Sequence, residues 1–119
     1  MAGKGDKMYY VYMLRCNDNS IYTGITTDIE RRMNEHFRHD KKCAKYTLRH
    51  LAKKLEMVWE AENRVYASKL EYYIKKLLKS EKEELIINKN LQKFLNQKLD
   101  CEKYKTIDIN TFKIKQNMS

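Results

Sequence analysis

The stretch from Tyr9 to Thr26, which reads Y-Y-V-Y-M-L-R-C-N-D-N-S-I-Y-T-G-I-T, decides the fold of this chain. Two runs rich in β-branched and aromatic residues flank a cluster of turn-forming residues, Asn17 to Ser20, and this pattern is typical of a β-hairpin. The sequence therefore predicts two antiparallel strands, near residues 9–15 and 21–26, joined by a turn.

The register of this hairpin determines which side chains share a face. A turn centred near Asp18 places Tyr12 opposite Gly24 and Leu14 opposite Tyr22, so the two tyrosines are diagonal neighbours on one face. Because Gly24 has no side chain, we expect a gap beside the two phenols where a substrate could approach the sheet. A shift of one residue would move the tyrosines to opposite faces and remove this site.

A helix is expected directly after the hairpin. Thr27 to Glu30 reads T-D-I-E, a capping box that predicts a helix over residues 28–39. Ile29, Met33 and Phe37 form an apolar stripe on this helix, which we expect to be buried. Arg32, His36 and His39 form a second, polar stripe. Arg32 and His36, one turn apart, could hold a phosphate between them. The alternatives are an exposed polar face, or a zinc site with Cys43 that lacks a fourth ligand.

Further segments complete the predicted fold. Residues 55–60 hold the single tryptophan and predict a third strand, with Trp59 in the core. Asn63 is expected to cap a second helix over residues 64–79, with an apolar stripe of Ala67, Leu70, Ile74, Leu77 and Leu78. Ser80 to Glu83 is expected to start a third helix. The sequence thus predicts an α+β fold in which helices flank a small three-stranded antiparallel sheet.

Composition limits the class of protein. The 119 residues are enough for one domain. No apolar run approaches the roughly 18 residues that span a bilayer, and the polar start differs from a signal peptide, so we expect a cytoplasmic protein with no membrane partner. Three widely separated cysteines, Cys16, Cys43 and Cys101, support neither a disulfide framework nor a zinc ribbon.

Charge points to a polyanionic partner. The net charge is +9, and the segment Arg38 to Lys54 holds seven lysines and arginines against one acid. Clustered cations gain free energy by releasing counterions from a phosphate backbone. Tyr46 interrupts this segment with an aromatic ring, which can serve a nucleic-acid surface or packing. A solvated loop, a membrane surface or an acidic protein would also explain the charge.

Glu71 is the single acid of the second predicted helix, and it lies among lysines and arginines. An isolated carboxylate in cationic surroundings stays ionised and could bind a hard divalent ion. The alternative is an ordinary i, i+4 ion pair with Lys75.

The residues singled out above resemble the GIY-YIG nuclease superfamily. Tyr10-Val11-Tyr12 and Tyr22-Thr23-Gly24, separated by nine residues, resemble the paired signature of that family. Arg32 and His36 resemble the R-x-x-x-H of its first helix, Lys45-Tyr46-Thr47 resembles the K-Y-T of its small bacterial members, and Leu70-Glu71 resembles the helix that bears their acid. The resemblance covers residues 9 to about 88.

The match is not complete. Val11 replaces an isoleucine, Tyr10 a glycine and Thr23 a second isoleucine of the name-giving motifs, so Tyr12, Tyr22 and Gly24 are its strict matches. Family members tend to have a polar residue after the acid-bearing helix, for which Asn88 and Asn90 are candidates. The resemblance divides the chain into a disordered lead-in (residues 1–7), a GIY-YIG-like domain (8–90) and a C-terminal extension (91–119) that holds a helix end and an edge strand or tail.

The resemblance implies a phosphodiester hydrolase that uses one Mg²⁺ or Mn²⁺ ion and no small-molecule cofactor. Glu71 would hold the metal, Arg32 would neutralise the phosphate and Tyr22 would be the general base, with Tyr12 beside it. A phenol is a poor base at neutral pH, so nearby positive charge is needed, from Lys45, His36 or the metal. His36 could instead position the phosphate. The expected nucleic-acid contacts are Gly24, Arg31, Lys41, Lys42, Lys45, Tyr46 and Arg49.

DNA is the expected substrate, RNA is left open, and the oligomeric state is not predicted. The function would be that of a DNA endonuclease or a DNA-repair or processing nuclease. Two other interpretations are a catalytically silent nucleic-acid-binding module with the same fold, and a basic adaptor that binds proteins.

Overall fold

The structure is a computed structural model that describes residues 7–38 and 44–114. The strands are β1 (Tyr9–Cys16), β2 (Ile21–Thr26), β3 (Ala52–Ala61) and β4 (Tyr104–Ile107). The helices are α1 (Ile29–Phe37), α2 (Lys45–Arg49), α3 (Arg64–Lys75), α4 (Lys79–Asn88) and α5 (Leu91–Leu95). The expected lead-in lies outside the described residues except for Lys7. None of the described helices has the length and apolar character that crossing a bilayer requires.

The sheet is antiparallel and has four strands in the order β2-β1-β3-β4, so the prediction of three strands is wrong. The added strand, β4, pairs with residues 58–61 of β3. The apolar residues Ile107, Ile109, Phe112 and Ile114 suggested an edge strand or a tail, and of these Ile107 is the last residue of β4 whereas the other three follow it. Its four residues are half polar, too short a run for the alternation of a strand to be recognised.

The hairpin has the predicted register. Tyr12 pairs with Gly24 and Leu14 pairs with Tyr22. The turn is built by Asp18, whose carboxylate accepts hydrogen bonds from the Ser20 backbone N–H at 3.1 Å and from its hydroxyl at 2.6 Å. Asn19 has a φ of 69°, a conformation that asparagine tolerates better than most residues. Local turn chemistry therefore determines the pairing on which the two-tyrosine face depends.

The N-terminus of α1 is one residue later than predicted. Asp28, rather than Thr27, is the N-cap, and its carboxylate accepts a hydrogen bond from the Arg31 N–H at 3.1 Å. Both residue types can cap a helix, and the sequence offers them side by side. The helix ends at Phe37, before the predicted residue 39.

The later helices also differ from prediction in their bounds. Asn63 caps α3 as expected, with its side chain accepting from the Tyr66 N–H at 3.0 Å, but α3 ends at Lys75. The next helix starts at Lys79, and the Leu78 N–H donates to Glu81 at 2.8 Å, so the predicted box from Ser80 to Glu83 is displaced by two residues. Leu78 is 67% exposed and does not belong to the buried stripe.

The sheet has a hydrophobic cluster on each face, because side chains alternate along its strands. One face packs against α3, α4 and α5, and we call it the α3 face; it contains Val11, Met13, Trp59, Leu70, Ile74 and Leu85. The other packs against α1, and we call it the α1 face; it contains Tyr12, Leu14, Met33, Phe37, Leu55 and Val58. Trp59 is fully buried, as predicted.

A charged clamp fixes α4 to the sheet. Arg15 at the end of β1 donates two hydrogen bonds of 2.6 Å to Glu83 of α4 and one of 3.0 Å to Glu56 of β3. The hydrogen bonds to Glu83 raise the pKa of Arg15, and the same contact lowers the pKa of Glu83 to about 2. Both groups therefore stay charged at neutral pH, and this bidentate geometry fixes the orientation of α4.

Candidate active site

The centre of the candidate site is Tyr12, in the middle of β1. Its side chain is buried, and its hydroxyl lies 2.8 Å from Nε2 of His36 on α1. Its ring centroid is 6.1 Å from that of Tyr22 on β2. The predicted two-tyrosine face therefore exists, and α1 packs directly over it.

The expected gap beside Gly24 is not there. A Cβ atom on Gly24 would lie 2.6 Å from the Tyr12 hydroxyl oxygen and 2.9 Å from a ring carbon of Tyr22. The two rings thus fill the space that the missing side chain leaves. Gly24 is buried, so its role in this structure is to admit Tyr12, and its expected contact with nucleic acid stays a prediction.

His36 belongs to a buried chain of hydrogen bonds that includes Thr47 of α2. The Thr47 hydroxyl donates to the Ala44 carbonyl at 3.0 Å, so its oxygen accepts from Nδ1–H of His36 at 2.9 Å. With the proton on Nδ1, Nε2 accepts from the Tyr12 hydroxyl. The chain therefore fixes the tautomer of His36 and the direction of the Tyr12 O–H bond.

His36 is neutral in the folded protein. Burial of the ring, with a smaller contribution from the nearby Arg32 guanidinium, lowers the pKa of His36 to about 3. Both ring nitrogens are also occupied by protein partners. The expected roles of His36, holding a phosphate together with Arg32 or supplying positive charge to a phenol, stay predictions that this buried and fully hydrogen-bonded position does not favour.

Arg32 reaches the same centre from α1. Its guanidinium donates to Glu35 at 2.7 Å and is hydrogen-bonded to the Tyr12 oxygen. Burial opposes its charge, but the bonds to Glu35 and Tyr12 outweigh that effect and raise the pKa of Arg32. The side chain remains 19% exposed. A fixed cation that is still accessible thus lies next to the buried tyrosine.

Burial of the Tyr12 phenol, with a contribution from Tyr22, raises the pKa of Tyr12 well above its usual value, against the opposing effect of Arg32. Tyr12 therefore keeps its proton, which it donates to His36. Glu71 also acts on this phenol electrostatically. Side chains from β2 and α1 thus surround Tyr12, and α3 contributes an acidic group that acts on it.

Tyr22 is the more accessible of the two tyrosines, and it is half-buried in a group of rings. Its centroid is 5.6 Å from the ring of His36 and 5.6 Å from the ring of Tyr46, on which it stacks. Lys75 Nζ of α3 lies 5.7 Å from the same ring centroid. Tyr22 therefore has a cationic neighbour from α3, a residue that sequence reasoning did not consider for this role.

Glu71 lies on α3 with 23% of its side chain exposed, and it forms the i, i+4 ion pair with Lys75 at 3.4 Å that was the alternative interpretation. No group of three or more histidine, cysteine, aspartate or glutamate side chains forms a metal site within residues 7–38 and 44–114. A lone accessible carboxylate still fits Mg²⁺ or Mn²⁺ chemistry, since Mg²⁺ is commonly held by one or two carboxylates together with water and substrate phosphate.

The structure describes some of the residues that are expected to contact nucleic acid. Arg31, Lys45 and Arg49 are exposed, and Tyr46 is half-buried. Two of the predicted contacts, Lys41 and Lys42, lie outside the described residues, as do His39 and Cys43 of the zinc interpretation.

Sequence reasoning gave no structural role to the residues that hold α2 in place. Thr47 appeared only within the K-Y-T match, and His50 was not considered. His50 stacks on Tyr46 with centroids 4.1 Å apart and forms an ion pair with Asp18 in the hairpin turn. Hydrogen bonds from Ser20 and from His50 hold the pKa of Asp18 well below its usual value. The turn thus fixes α2, and α2 fixes His36. The signal that could have found Thr47 is its position inside that motif.

Comparisons with known proteins identify the family to which this chain is similar. A family model described as the GIY-YIG catalytic domain matches residues 8–84. A UPF0213 protein of Fusobacterium nucleatum is 47% identical over 78 residues, which are 66% of this chain and 76% of that protein. A UPF0213 protein of Clostridium perfringens is 42% identical over 86 residues, 71% of this chain and 89% of that protein. The solution NMR structure of a UPF0213 protein from Bacillus halodurans matches with a TM-score of 0.45 and 36% identity, covering 78% of this chain and 97% of that one.

Proposed function

This chain belongs to the GIY-YIG catalytic-domain family, and we propose that it is a DNA endonuclease that hydrolyses phosphodiester bonds with the help of one divalent ion. The observation that carries the proposal is that Tyr22 and Arg32 lie beside Tyr12. Glu71 borders the same residues, because it pairs with Lys75, which lies beside the Tyr22 ring. These groups can supply a proton acceptor, a counter-charge and a metal ligand, which phosphodiester hydrolysis demands.

Tyr22 is the candidate general base. Tyr12 is excluded from this role because its proton is committed to His36 and because burial raises the pKa of its phenol. Tyr22 is half-buried, whereas Tyr12 is buried, so the phenol of Tyr22 is the one of the pair that water and substrate can reach, and Lys75 Nζ lies 5.7 Å from its ring centroid. The two tyrosines of the signature would thus have different tasks, one chemical and one positional.

Arg32 is the candidate counter-charge for the reacting phosphate. Its bonds to Glu35 and Tyr12 orient the guanidinium plane, and its side chain is 19% exposed, so a phosphate oxygen can approach it. The arginine is fixed before substrate arrives, and a fixed donor needs little reorganisation during the reaction.

Glu71 is the residue that would hold Mg²⁺ or Mn²⁺. A metal bound there would act as a Lewis acid that stabilises negative charge on phosphate and leaving oxygens. The ion pair with Lys75 must open for this, and it is a partly exposed pair, of a kind worth roughly 0–1 kcal/mol. Its opening would place a released Lys75 ammonium on the side of α3 that contacts Tyr22.

The decisive experiment measures nicking of supercoiled plasmid DNA with Mg²⁺ or Mn²⁺. Glu71→Gln keeps the size of the side chain and should reduce the rate by at least about 100-fold, as loss of an electrostatic group in an active site commonly does. Tyr22→Phe should have a similar effect. Glu62→Gln, an exposed acid before α3, is the matched control and should cleave as the wild type does. Equal rates for the wild type and folded Glu71→Gln would refute the metal site.

A second candidate is a module that binds DNA without cutting it. The observation that favours it is that Glu71 and Arg32 each have an ionic partner, Lys75 and Glu35, so both groups are partly neutralised in the free protein. Salt-sensitive binding with no cleavage of duplex, branched or single-stranded DNA would support this alternative.

A further inference from the structure

The outer side of α3 borders a groove that is separate from the candidate active site. The groove has a volume of about 590 Å³ and lies between the exposed residues of α3 and Lys98, which follows α5. This volume is within the range of roughly 300–1,000 Å³ that is usual for small-molecule sites. None of the residues of Tyr12's hydrogen-bonded chain lines it.

The groove is lined by positive charge. Arg64, Lys69 and Lys98 contribute three cations, and no acidic side chain is among its described lining residues. Within the described part of the chain these three cations form no ion pair, in contrast to Lys75 and Lys79 nearby. Unneutralised cations around a concave surface favour an anionic ligand.

Two tyrosines and Val65 form the apolar part of the groove. Tyr72 is 53% exposed and meets Tyr73 edge to face, with centroids 5.1 Å apart. Lys76 Nζ lies 4.8 Å from the Tyr72 ring centroid and forms a cation–π contact that helps to hold the ring in place. The exposed ring is thus held in place beside the cations, with its surface open to a ligand.

We propose that this groove binds a segment of single-stranded nucleic acid, with a base stacked on Tyr72 and backbone phosphates held by Arg64, Lys69 and Lys98. Proteins that bind single strands combine these two elements, a cationic groove and an exposed aromatic ring. An acidic peptide would use the cations alone and would not need the braced ring.

The groove lies next to the candidate metal ligand. Tyr72 follows Glu71 directly in α3, so the two side chains leave the helix about 100° apart. A strand in the groove would therefore continue toward the face on which Glu71 acts. This inference rests on the proposed function, because it assumes that the site on the other side of α3 acts on nucleic acid.

The test measures the anisotropy of a fluorescein-labelled 12-nucleotide oligothymidylate, titrated with the full chain in EDTA so that no cleavage occurs. Tyr72→Ala should weaken binding at least about fivefold, since the stacking of one base on an aromatic ring is usually worth that or more. Lys69→Gln with Lys98→Gln should lower the slope of log affinity against log salt by about 0.7 for each phosphate that the protein no longer neutralises.

The matched control is Lys53→Gln with Lys54→Gln, which removes the same charge from two exposed lysines of β3 outside the groove. It should change affinity less than the groove double variant does. Tyr72→Ala binding within twofold of the wild type, or equal effects of the two double variants, would overturn the proposal. So would competition by a polyglutamate peptide whose binding needs the groove lysines but not Tyr72.

These outcomes are independent of cleavage. The anisotropy assay contains EDTA, so it measures binding to the groove separately from metal-dependent cleavage. A protein that shows the Tyr72 dependence but never cuts DNA would refute the proposed nuclease and leave the groove standing. A protein that cuts DNA but whose binding does not depend on Tyr72 would support the proposed nuclease and refute the groove.

Discussion

The two faces of the sheet bury polar groups in opposite ways. On the α1 face, the hydroxyls of Tyr12 and Thr47 and both nitrogens of His36 form one connected chain. On the α3 face, two buried polar atoms, Oγ1 of Thr23 and Nε1 of Trp59, have no hydrogen-bond partner within the described residues. The same strands therefore present a connected polar network on one side and apolar packing with two unsatisfied atoms on the other.

This difference separates stability from site geometry. Apolar packing is non-directional, and on the α3 face it offsets the cost of two unsatisfied polar atoms. A hydrogen-bonded chain is directional, so on the α1 face it permits one arrangement of Tyr12. We therefore expect substitutions on the α3 face to change mainly the free energy of unfolding, and substitutions in the chain to change mainly the activity of the folded protein.

The largest effect is expected from Trp59→Ala. Trp59 is completely buried on the α3 face, and its truncation should lower the free energy of unfolding by about 3–5 kcal/mol. Urea denaturation followed by circular dichroism measures this change. Leu78→Ala removes an apolar side chain that is 67% exposed and should cost less than about 0.5 kcal/mol. A small effect of Trp59→Ala would contradict the assignment of stability to the α3 face.

An effect of intermediate size is expected from pH. The pKa of His36 is 6.5 in its ordinary state and falls to about 3 in the folded protein. Below pH 6.5 the unfolded chain therefore binds a proton at His36 that the folded chain does not, and the free energy of unfolding decreases as pH falls. Between pH 7 and pH 5 the loss should be about 2 kcal/mol, at 1.36 kcal/mol for each unit of difference.

This interval lies above the ordinary carboxylate range, so the loss reflects histidine rather than Glu83 or Asp18. Denaturation midpoints at pH 7, 6 and 5 measure it. His36→Gln should flatten the profile. A wild-type profile that is flat over this range would show that His36 is not buried as a neutral ring.

The most direct test makes the same substitution on both faces, with an effect expected on one face and little or none on the other. Thr47→Val leaves Nδ1–H of His36 unpaired and should cost about 1–3 kcal/mol, with a loss of activity. Thr23→Val removes a buried hydroxyl that has no described partner, so it should be neutral or slightly stabilising.

Thr47→Ser keeps the hydroxyl and should restore activity, which separates its hydrogen bond from its methyl group. Thermal melting and the plasmid assay report the two properties. Equal effects of the two valine substitutions would remove the contrast between the faces.

The hairpin could be predicted from sequence because two constraints agreed. Turn chemistry around Asp18 located the turn, and the period of two along each strand then left one register, with Tyr12 opposite Gly24. The sequence did not show how the space beside Gly24 is filled. The missing side chain of Gly24 suggested an opening, but a tyrosine ring on the adjacent strand fills it.

The sequence also predicted that Arg32 and His36 lie on the same helix, but it did not predict that His36 is buried. Helical period places a residue on a face without saying what covers that face. The cover is α2, a five-residue helix whose Thr47 lies eleven residues from His36. Such a short helix has too few turns to show a periodic pattern. Its contact with the hairpin turn is made by His50 and Asp18, which are far apart in the sequence.

The short strand β4 has a consequence for self-association. Residues 58–61 of β3 would otherwise present a row of open backbone donors and acceptors, which is a template for another chain to extend the sheet. β4 occupies this row, and its own outer edge is only four residues long and carries Lys105. It lies beyond residue 84, where the match to the family ends. Protection of this sheet edge against aggregation is thus supplied by a segment outside the family domain.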